Sequence, residues 1–206
     1  MPDSPRVARQ QDAERELLPA WLPPAKADTA FEMLRDLLPW TRHRLRIFGA
    51  EVQAPRLSCW IGDPDAAYRY SGTRFQPVPW PDVLLPLRRS VSETAGVAFN
   101  SVLAKLYRDG DDAMGWHSDN ERELGPRPVI ASLSLGATRR FVLKEKHPNA
   151  EGSAQRHAFE LAHGTLLLMR GDTQSLYRHA LPRTAGLVGP RINLTSRRIL
   201  AWPRTS

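Results

Sequence analysis

Apolar residues at helical spacing predict two helices in the first half of the chain. Between Asp28, the expected N-cap, and Pro39, the expected end, apolar side chains recur every three or four residues. A second apolar stripe over residues 81–95 is followed by Gly96, a residue type that commonly ends helices. Residues 1–25 carry many prolines and charges instead, so we expect them to form a flexible lead-in.

Alternating and short apolar segments predict strands elsewhere. Residues 42–47 alternate basic and mostly apolar side chains, which predicts a strand that forms a hairpin with a returning strand over residues 56–61. From residue 97 onward, short strands are predicted over residues 101–107, 128–135, 140–144, 157–161, 165–169 and 191–200. Helices followed by a run of strands predict an α+β, mainly β fold, and a double-sheet jelly roll accommodates so many antiparallel strands.

The charge distribution bears on the class of partner. The chain has 206 residues and a net charge of +7, and no carboxylate follows Asp172, whereas arginines continue to the end. Such an excess would attract a polyanion such as nucleic acid. Charge alone leaves the question open, because many basic proteins bind no nucleic acid.

Length, cysteine content and hydropathy bound the class of protein. The length suits one compact domain, expected at residues 26–206. The single cysteine, Cys59, cannot form an intramolecular bridge, and we expect a buried thiol. No segment reaches the roughly 18 consecutive apolar residues of a membrane helix, and the start lacks a signal-peptide core. We therefore expect a cytoplasmic protein without a membrane partner. Composition does not settle the oligomeric state; we expect a monomer.

One short segment combines residue types that bind metals. His117 and Asp119 stand two positions apart, so their side chains point the same way on an extended segment. Iron(II) oxygenases hold their metal with two histidines and one carboxylate, which leaves positions open for a co-substrate and dioxygen. A third ligand must come from elsewhere. Among the other histidines, His179 stands out because it precedes a polar strand; the rest are expected to be ordinary surface or core residues.

The last predicted strand has an unusual polar face. On an extended chain, Arg191, Asn193, Thr195 and Arg197 lie on one side and apolar residues lie on the other. A solvated face would explain this pattern. Two guanidinium groups directed into a barrel would instead need an anion, and the planar guanidinium group matches a carboxylate such as that of a dicarboxylate co-substrate.

His117-x-Asp119, His179 and the alternating series over residues 191–197 together resemble the signature of the AlkB family of DNA and RNA dealkylases. The resemblance extends over about residues 45–202. It implies a double-stranded β-helix (jelly-roll) core at about residues 97–202, N-terminal supporting helices, and a nucleotide-recognition lid at about residues 40–75. It also implies iron(II) held by His117, Asp119 and His179, and 2-oxoglutarate whose distal carboxylate pairs with Arg191. The other pocket residues that it implies are Tyr107, Asn193, Thr195 and Arg197.

Two positions depart from the family pattern. Many members have asparagine where this chain has Lys105, two residues before the pocket tyrosine; the lysine either offers a charged donor to a carboxylate or points away. Several relatives follow the metal-binding aspartate with a second aspartate that contacts the damaged base. Here Asn120 stands in that place, followed by Glu121, so recognition of the base is expected to differ in detail.

The segment before the core is similar to the lid of AlkB homologues that act on duplex DNA. In that resemblance Phe48 fills the gap left by the flipped base, and Tyr70 stacks on the extruded base with Tyr68 nearby. The basic residues beside Phe48 would then contact phosphates; they are Arg42, Arg44 and Arg46. Alternatively, the aromatic side chains form the core of a hairpin and the arginines are a solvated strand face.

The resemblance implies oxidative demethylation of alkylated bases in DNA, with 1-methyladenine and 3-methylcytosine as the expected lesions and formaldehyde, succinate and CO2 as products. The DNA is expected to be single- or double-stranded, and dioxygen is the second co-substrate. Two alternatives stay open. One is an oxygenase that acts on RNA or on a protein side chain, and the other is a non-catalytic nucleic-acid-binding module on the same fold.

Overall fold

Two antiparallel sheets form the body of the protein. The computed structural model describes residues 6–10, 13–42, 44–47, 50–66, 68–70, 73–147 and 152–200. The strands are β1 (Arg6–Gln10), β2 (Ala13–Leu18), β3 (Arg44–Ile47), β4 (Ala50–Gln53), β5 (Leu57–Gly62), β6 (Tyr68–Tyr70), β7 (Thr73–Phe75), β8 (Ser101–Tyr107), β9 (Met114–His117), β10 (Ile130–Gly136), β11 (Arg139–Glu145), β12 (Arg156–Leu161), β13 (Leu166–Gly171), β14 (Tyr177–Leu181) and β15 (Arg191–Arg197). The helices are α1 (Pro24–Leu37), α2 (Leu84–Ala95), the single turn α3 (Thr173–Leu176) and a 3₁₀ turn at Arg122–Leu124.

The two sheets have the crossed strand order of a jelly roll. The major sheet has the order β1-β2-β13-β10-β15-β8-β5, and the minor sheet has the order β12-β11-β14-β9. Strands that are distant in sequence are therefore hydrogen-bonded neighbours, as β10 and β15 are in the major sheet. This arrangement confirms the predicted α+β, mainly β fold with a jelly-roll core.

Each strand of the major sheet divides its side chains between two environments. The odd-numbered apolar residues of β10 and the even-numbered ones of β15, such as Leu133 and Ile192, pack in the same core cluster as Phe31 and Leu34 of α1. A second cluster joins residues of both sheets, among them Leu167 of β13 and Leu143 of β11. The helices thus cover one face of the major sheet, and the other face points toward the minor sheet.

The expectation of a flexible lead-in over residues 1–25 is wrong for its described part. Strand β2 pairs antiparallel with β13, and β1 pairs with β2, so both extend the major sheet. Arg15 is only 1% exposed, and its guanidinium lies 4.8 Å from the centre of the Tyr177 ring. The charged sequence of β2 has little strand preference of its own. Its conformation is set by pairing with the edge of β13, which propensity alone does not reveal.

The start of α1 also differs from the prediction. The helix begins at Pro24 with Pro23 as the N-cap, and Asp28 lies inside it rather than at its end. Proline fits the first helical position because that residue needs no N–H donor and has a suitable φ. The predicted end of α2 is confirmed, since Gly96 follows the helix with a left-handed φ of 67°.

The predicted hairpin between residues 42–47 and 56–61 is wrong. Strand β3 pairs with β4, whereas β5 pairs with β8 of the major sheet. A second small hairpin joins β6 and β7, so the predicted lid region holds two separate two-stranded sheets. The pattern of residues 56–61 correctly predicted a strand, observed at Leu57–Gly62, but the partner of this strand is distant in sequence and left no local signal.

The structure also bears on the expected buried thiol and on the expected lack of a membrane helix. Cys59 is buried, as predicted, and burial raises the pKa of its thiol to about 11. Among the described residues, no helix is long and apolar enough to cross a membrane.

Gly164 and Gly96 provide a matched pair for testing how the N-terminal segment is attached. Both have a left-handed φ, 73° and 67°, but a Cβ on Gly164 would lie 2.3 Å from the carbonyl oxygen of Leu22, whereas a Cβ on Gly96 would meet nothing within 4 Å. We expect Gly96→Ala to lower the free energy of unfolding by about 1 kcal/mol through backbone strain alone. Gly164→Ala should lower the free energy of unfolding by a further ~1–3 kcal/mol, because the backbone at Leu22 must move to make room for the new methyl group. Urea denaturation measures both; equal losses would contradict the close packing at Leu22.

Candidate metal centre and co-substrate pocket

The three predicted metal ligands lie together between the two sheets. His117 ends β9, His179 lies on the neighbouring strand β14, and the two residues are directly paired in the antiparallel register. Asp119 follows β9 by two residues. One ligand atom from each of the three side chains lies within 4.8 Å of the others, and the two imidazole centroids are 4.1 Å apart. The spacing in sequence supplied two ligands, and the pairing of β9 with β14 supplies the third.

Hydrogen bonds orient this triad. The Nδ1–H of His117 donates to the carbonyl oxygen of Gly115 at 2.9 Å, which leaves Nε2 as the deprotonated nitrogen. That Nε2 atom is buried and has no hydrogen-bond partner among the described residues. The Asp119 N–H donates to Oε1 of Gln174 at 2.9 Å, and Nη2 of Arg197 donates to the Asp119 carboxylate at 2.7 Å. A buried imidazole nitrogen without a partner, beside an oriented carboxylate, fits the donor set of an iron(II) ion.

The electrostatic environment keeps the triad in the protonation states that bind metals. Burial lowers the pKa of His117 to about 4 and that of His179 well below its ordinary value. Burial alone raises the pKa of Asp119, but Arg197 and the two histidines outweigh it, so the net pKa lies below its ordinary range. At neutral pH both imidazoles are therefore neutral and the carboxylate is ionised.

The polar face of β15 points into the same space. Arg191 is 1% exposed, its Nη2 donates to the Ser134 hydroxyl at 2.8 Å, and its guanidinium lies 5.3 Å from the Tyr107 ring centre. Its Nε and Nη1 are buried without a hydrogen bond to the described residues. Burial lowers the pKa of Arg191 to about 10, which leaves it charged at neutral pH. A buried guanidinium with unused donors fits the distal carboxylate of 2-oxoglutarate.

Comparison with known proteins identifies the family. Residues 15–197 match the 2OG-Fe(II) oxygenase superfamily. A relative from Bos taurus named alpha-ketoglutarate-dependent dioxygenase alkB homolog 3 is 40% identical over 193 residues, which cover 91% of this chain and 67% of the relative. DNA oxidative demethylase ALKBH2 from Homo sapiens is 39% identical over 182 residues, 85% of this chain and 70% of that protein. The chain belongs to the AlkB family. It is an Fe(II)- and 2-oxoglutarate-dependent dioxygenase.

Solved structures share the fold of this AlkB-family enzyme. The structure of OsALKBH1 superposes with a TM-score of 0.58 at 17% identity, covering 94% of this chain and 100% of that one. A 2OG-Fe(II) oxygenase family oxidoreductase from Burkholderia pseudomallei gives a TM-score of 0.59 at 16% identity, covering 93% and 89%. At these identities the likeness concerns the architecture alone.

Lys105 points into the pocket of the AlkB-family enzyme rather than away from it. It is 5% exposed and lines the pocket together with His117, Asp119 and Arg191. Its Nζ donates to the Thr195 hydroxyl at 3.4 Å. Burial and the nearby Arg197 lower the pKa of Lys105 to about 7, whereas Asp119 opposes this shift. The lowered pKa means that the ammonium form is costly beside the guanidinium groups; a bound anion would favour that form, which fits a second cationic contact for the co-substrate.

The remaining predicted pocket residues divide into two groups. Asn193 and Thr195 line the pocket, and the Asn193 amide donates to the Ser132 hydroxyl at 2.8 Å and accepts from the Thr195 hydroxyl at 2.8 Å. Arg197, which the resemblance assigned to the co-substrate, forms a buried ion pair with Asp119 and does not line the pocket. Arg197 lies six residues along β15 from Arg191, at the other end of the strand. At that position its guanidinium contacts the metal ligand Asp119.

The residues predicted to recognise the base and the DNA lie outside this pocket or outside the described residues. Asn120 is exposed and Glu121 is half-buried, and neither lines the pocket. Arg42 is exposed and donates to the Gln53 side chain at 3.1 Å. Phe48 lies outside the described residues. For four others only the backbone is described, and it lies in the two small hairpins; these residues are Arg44, Arg46, Tyr68 and Tyr70.

Three functional residues were not predicted from the sequence. Ser132 and Ser134 hold Asn193 and Arg191 through hydrogen bonds across β10 and β15. The sequence did contain a pattern that could have indicated them, because the two serines are polar positions that alternate with apolar ones along a predicted strand. Gln174 holds the backbone of Asp119 from the distant turn α3, and no local pattern indicated it.

The stability of the metal-free AlkB-family enzyme should depend on His117 between pH 6.5 and about 4. Its folded-state pKa of about 4 is below the unfolded value of about 6.5, so in this window only the unfolded chain takes up the proton. Acidification therefore favours unfolding, by up to about 3 kcal/mol for this one group. Urea denaturation across the window should give a smaller pH slope for His117→Gln than for the wild type. The exposed His147→Gln serves as control, and an identical slope for both variants would contradict the burial of His117.

Replacing Lys105 should change stability and co-substrate binding in opposite directions. Lys105→Met removes a buried charge at similar volume, so we expect the metal-free protein to become more stable, by roughly 1–3 kcal/mol. Loss of a charge-assisted contact should weaken 2-oxoglutarate binding about tenfold or more. Thermal unfolding and anaerobic calorimetry with Mn(II) as the metal measure the two effects. Unchanged affinity would show that the ammonium does not contact the co-substrate.

Proposed function

We propose that this protein oxidatively demethylates alkylated bases in DNA. The observation that carries the proposal is the triad of His117, Asp119 and His179 beside a cationic socket formed by Arg191 and Lys105. The substrate class rests on the relative named DNA oxidative demethylase ALKBH2, whose match covers 85% of this chain. The net charge of +7 supports a polyanionic partner.

The side chains divide the work of such a reaction. When bound, iron(II) and 2-oxoglutarate would activate dioxygen, one atom of which would be inserted into an N-methyl group. The resulting N-hydroxymethyl group would decompose to formaldehyde and the restored base. Arg191 and Lys105 would hold the co-substrate, which would lose CO2, take up the second oxygen atom of dioxygen and leave as succinate. Arg197 fixes the orientation of Asp119. An apolar wall excludes water from the reacting atoms; it contains Met114, Phe141, Leu161, Met169 and Leu181.

We propose 1-methyladenine and 3-methylcytosine as the lesions, in single- and double-stranded DNA, and a repair role for the reaction. Both bases carry a positive charge when methylated, which the carboxylate of Glu121, two residues after the metal ligand Asp119, would complement. We further propose a monomer as the active unit, because a single copy of the chain supplies the three metal ligands and the arginine for the co-substrate.

The alternatives have less support. A non-catalytic binding module would have no use for a complete triad in which the carboxylate and one imidazole are each oriented by hydrogen bonds. An oxygenase for RNA or for a protein side chain would use the same centre. It would differ in substrate, and a parallel assay of methylated RNA and peptide alongside DNA distinguishes it.

Formaldehyde release from 3-methylcytosine oligonucleotides tests the proposed function. Wild-type protein should release formaldehyde only with iron(II) and 2-oxoglutarate, and a chelator should stop the reaction. His117→Ala and Asp119→Ala should each lower turnover by at least about 100-fold, since loss of even supporting residues at metal sites costs 10–100-fold. Both variants should still bind DNA.

Arg89→Ala is the control, because Arg89 is an exposed residue of α2 outside the site. Turnover that survives in either ligand variant would refute the metal centre. A wild-type enzyme that demethylates RNA or peptide but not DNA would refute the substrate class.

A further inference from the structure

A row of basic residues crosses the outer face of the minor sheet. Lys144 of β11 is paired in register with Arg156 of β12 on one side and with Arg178 of β14 on the other. Arg156 and Arg178 are exposed, and Lys144 is half-buried. Side chains alternate along a strand, so Arg178 faces away from the pocket that its neighbour His179 lines. Three cations therefore stand side by side directly behind the metal centre.

Such a row is unfavourable for folding by itself. Like charges directly opposite each other on neighbouring strands destabilise a sheet. Within the described residues, neither Lys144 nor Arg178 forms an ion pair or a side-chain hydrogen bond. The nearest carboxylate along the chain, that of Glu145, accepts hydrogen bonds from the Gln155 N–H and the Tyr177 hydroxyl. An anion bound across the row would remove the repulsion.

An exposed tryptophan completes the surface. Trp116 is 47% exposed and lies on β9, the edge strand of the minor sheet, next to Arg178 on β14. A cavity of about 170 Å³ lies between them; its lining residues are Trp116, Lys144, Glu145, Lys146, Ala154 and Arg178. Aromatic rings beside cationic side chains are the usual means of binding single-stranded nucleic acid, because the ring stacks on a base and the cations neutralise phosphates.

The position of Trp116 links this surface to the active site. Trp116 directly precedes His117, but Trp116 lines the outer cavity with Lys144 and Arg178, whereas His117 lines the metal pocket. Because no described strand pairs with the far side of β9, a polymer can pass from the pocket around this edge to the outer face. The outer-face patch, defined as Trp116, Lys144, Arg156 and Arg178, is thus next to the path of any strand whose base occupies the pocket.

We propose that the outer-face patch binds the single-stranded nucleic acid that flanks the target base, with Trp116 stacking on a base and the three cations contacting phosphates. This inference rests on the proposed function, which places a nucleotide in the pocket. The patch would hold the strand by sequence-independent contacts, since stacking and phosphate neutralisation do not distinguish bases.

Binding of an undamaged, fluorescently labelled oligonucleotide tests the patch without requiring turnover. The probe is single-stranded oligo(dT) of roughly 20 nucleotides, longer than a typical single-strand binding site. Trp116→Ala should weaken binding at least about fivefold with an unchanged salt slope. Lys144→Gln combined with Arg178→Gln should weaken binding and reduce the salt slope by about 1.4, if each cation neutralises one phosphate.

Two control variants test whether the loss of binding depends on where the side chain lies, rather than only on its charge or its exposure. Arg89→Gln removes an exposed charge on α2, and Met33→Ala removes an apolar side chain of α1 that is 48% exposed, close to the exposure of Trp116. Neither should change oligo(dT) affinity. The Lys144→Gln/Arg178→Gln variant should unfold at the same or a slightly higher temperature than the wild type, because it relieves repulsion. A purely structural role would lower that temperature.

Several results would overturn the inference. Patch variants that bind oligo(dT) like the wild type would exclude the surface, whatever the enzyme does to methylated bases. Equal losses on single-stranded and fully duplex probes would contradict the assignment to a single strand. Weaker binding by the charge variant without any effect of Trp116→Ala would contradict stacking. Failure of formaldehyde release, with patch-dependent binding intact, would refute the proposed function instead.

Discussion

Compensation of buried charge is the constraint on which the site depends. Lys105, Arg191 and Arg197 are each at most 5% exposed, and Asp119 is the carboxylate that the structure brings into their midst. The Arg197–Asp119 ion pair at 2.7 Å accounts for one cation. The other two remain with donors directed into the pocket. In a medium of low dielectric this excess of positive charge lowers the free energy of unfolding, and a bound dianion would compensate it. The protein is therefore less stable without its co-substrate than a protein with an apolar core at this place would be.

The jelly roll holds this arrangement because His179 and Arg191 lie on strands that are hydrogen-bonded on both sides, and His117 lies at the end of β9, which pairs with β14. His117 and His179 are placed by the register of β9 and β14, and Arg191 is placed by β15 between β10 and β8. The helices α1 and α2 cover the far side of the major sheet with apolar contacts. Functional groups on paired strands move less than groups on loops, which favours an iron centre with a defined open side.

The minor sheet uses both of its faces. The inner face carries the metal-binding histidines, and the outer face carries Trp116 and a row of cations. Adjacent residues of one strand, such as Arg178 and His179, thus serve different purposes because side chains alternate. A reaction centre and the surface that holds the flanking polymer are then separated by the thickness of one sheet, and a change in the register of β14 would disturb both.

The sequence by itself determined the strand-rich core, two of the three ligands and the polar face of β15, because these features depend on local spacing: two residues along an extended chain share a side. It also determined the family, through the combined pattern of His117, Asp119, His179 and Arg191. Only the tertiary structure decided that His179 pairs with His117, that Arg197 binds Asp119, that Gln174 holds the aspartate backbone, and that the charged segment of β2 is a strand. These contacts join residues far apart in the chain. They form because the assembled sheets leave strand edges and buried charges that need a partner, and local sequence does not show which residues supply it.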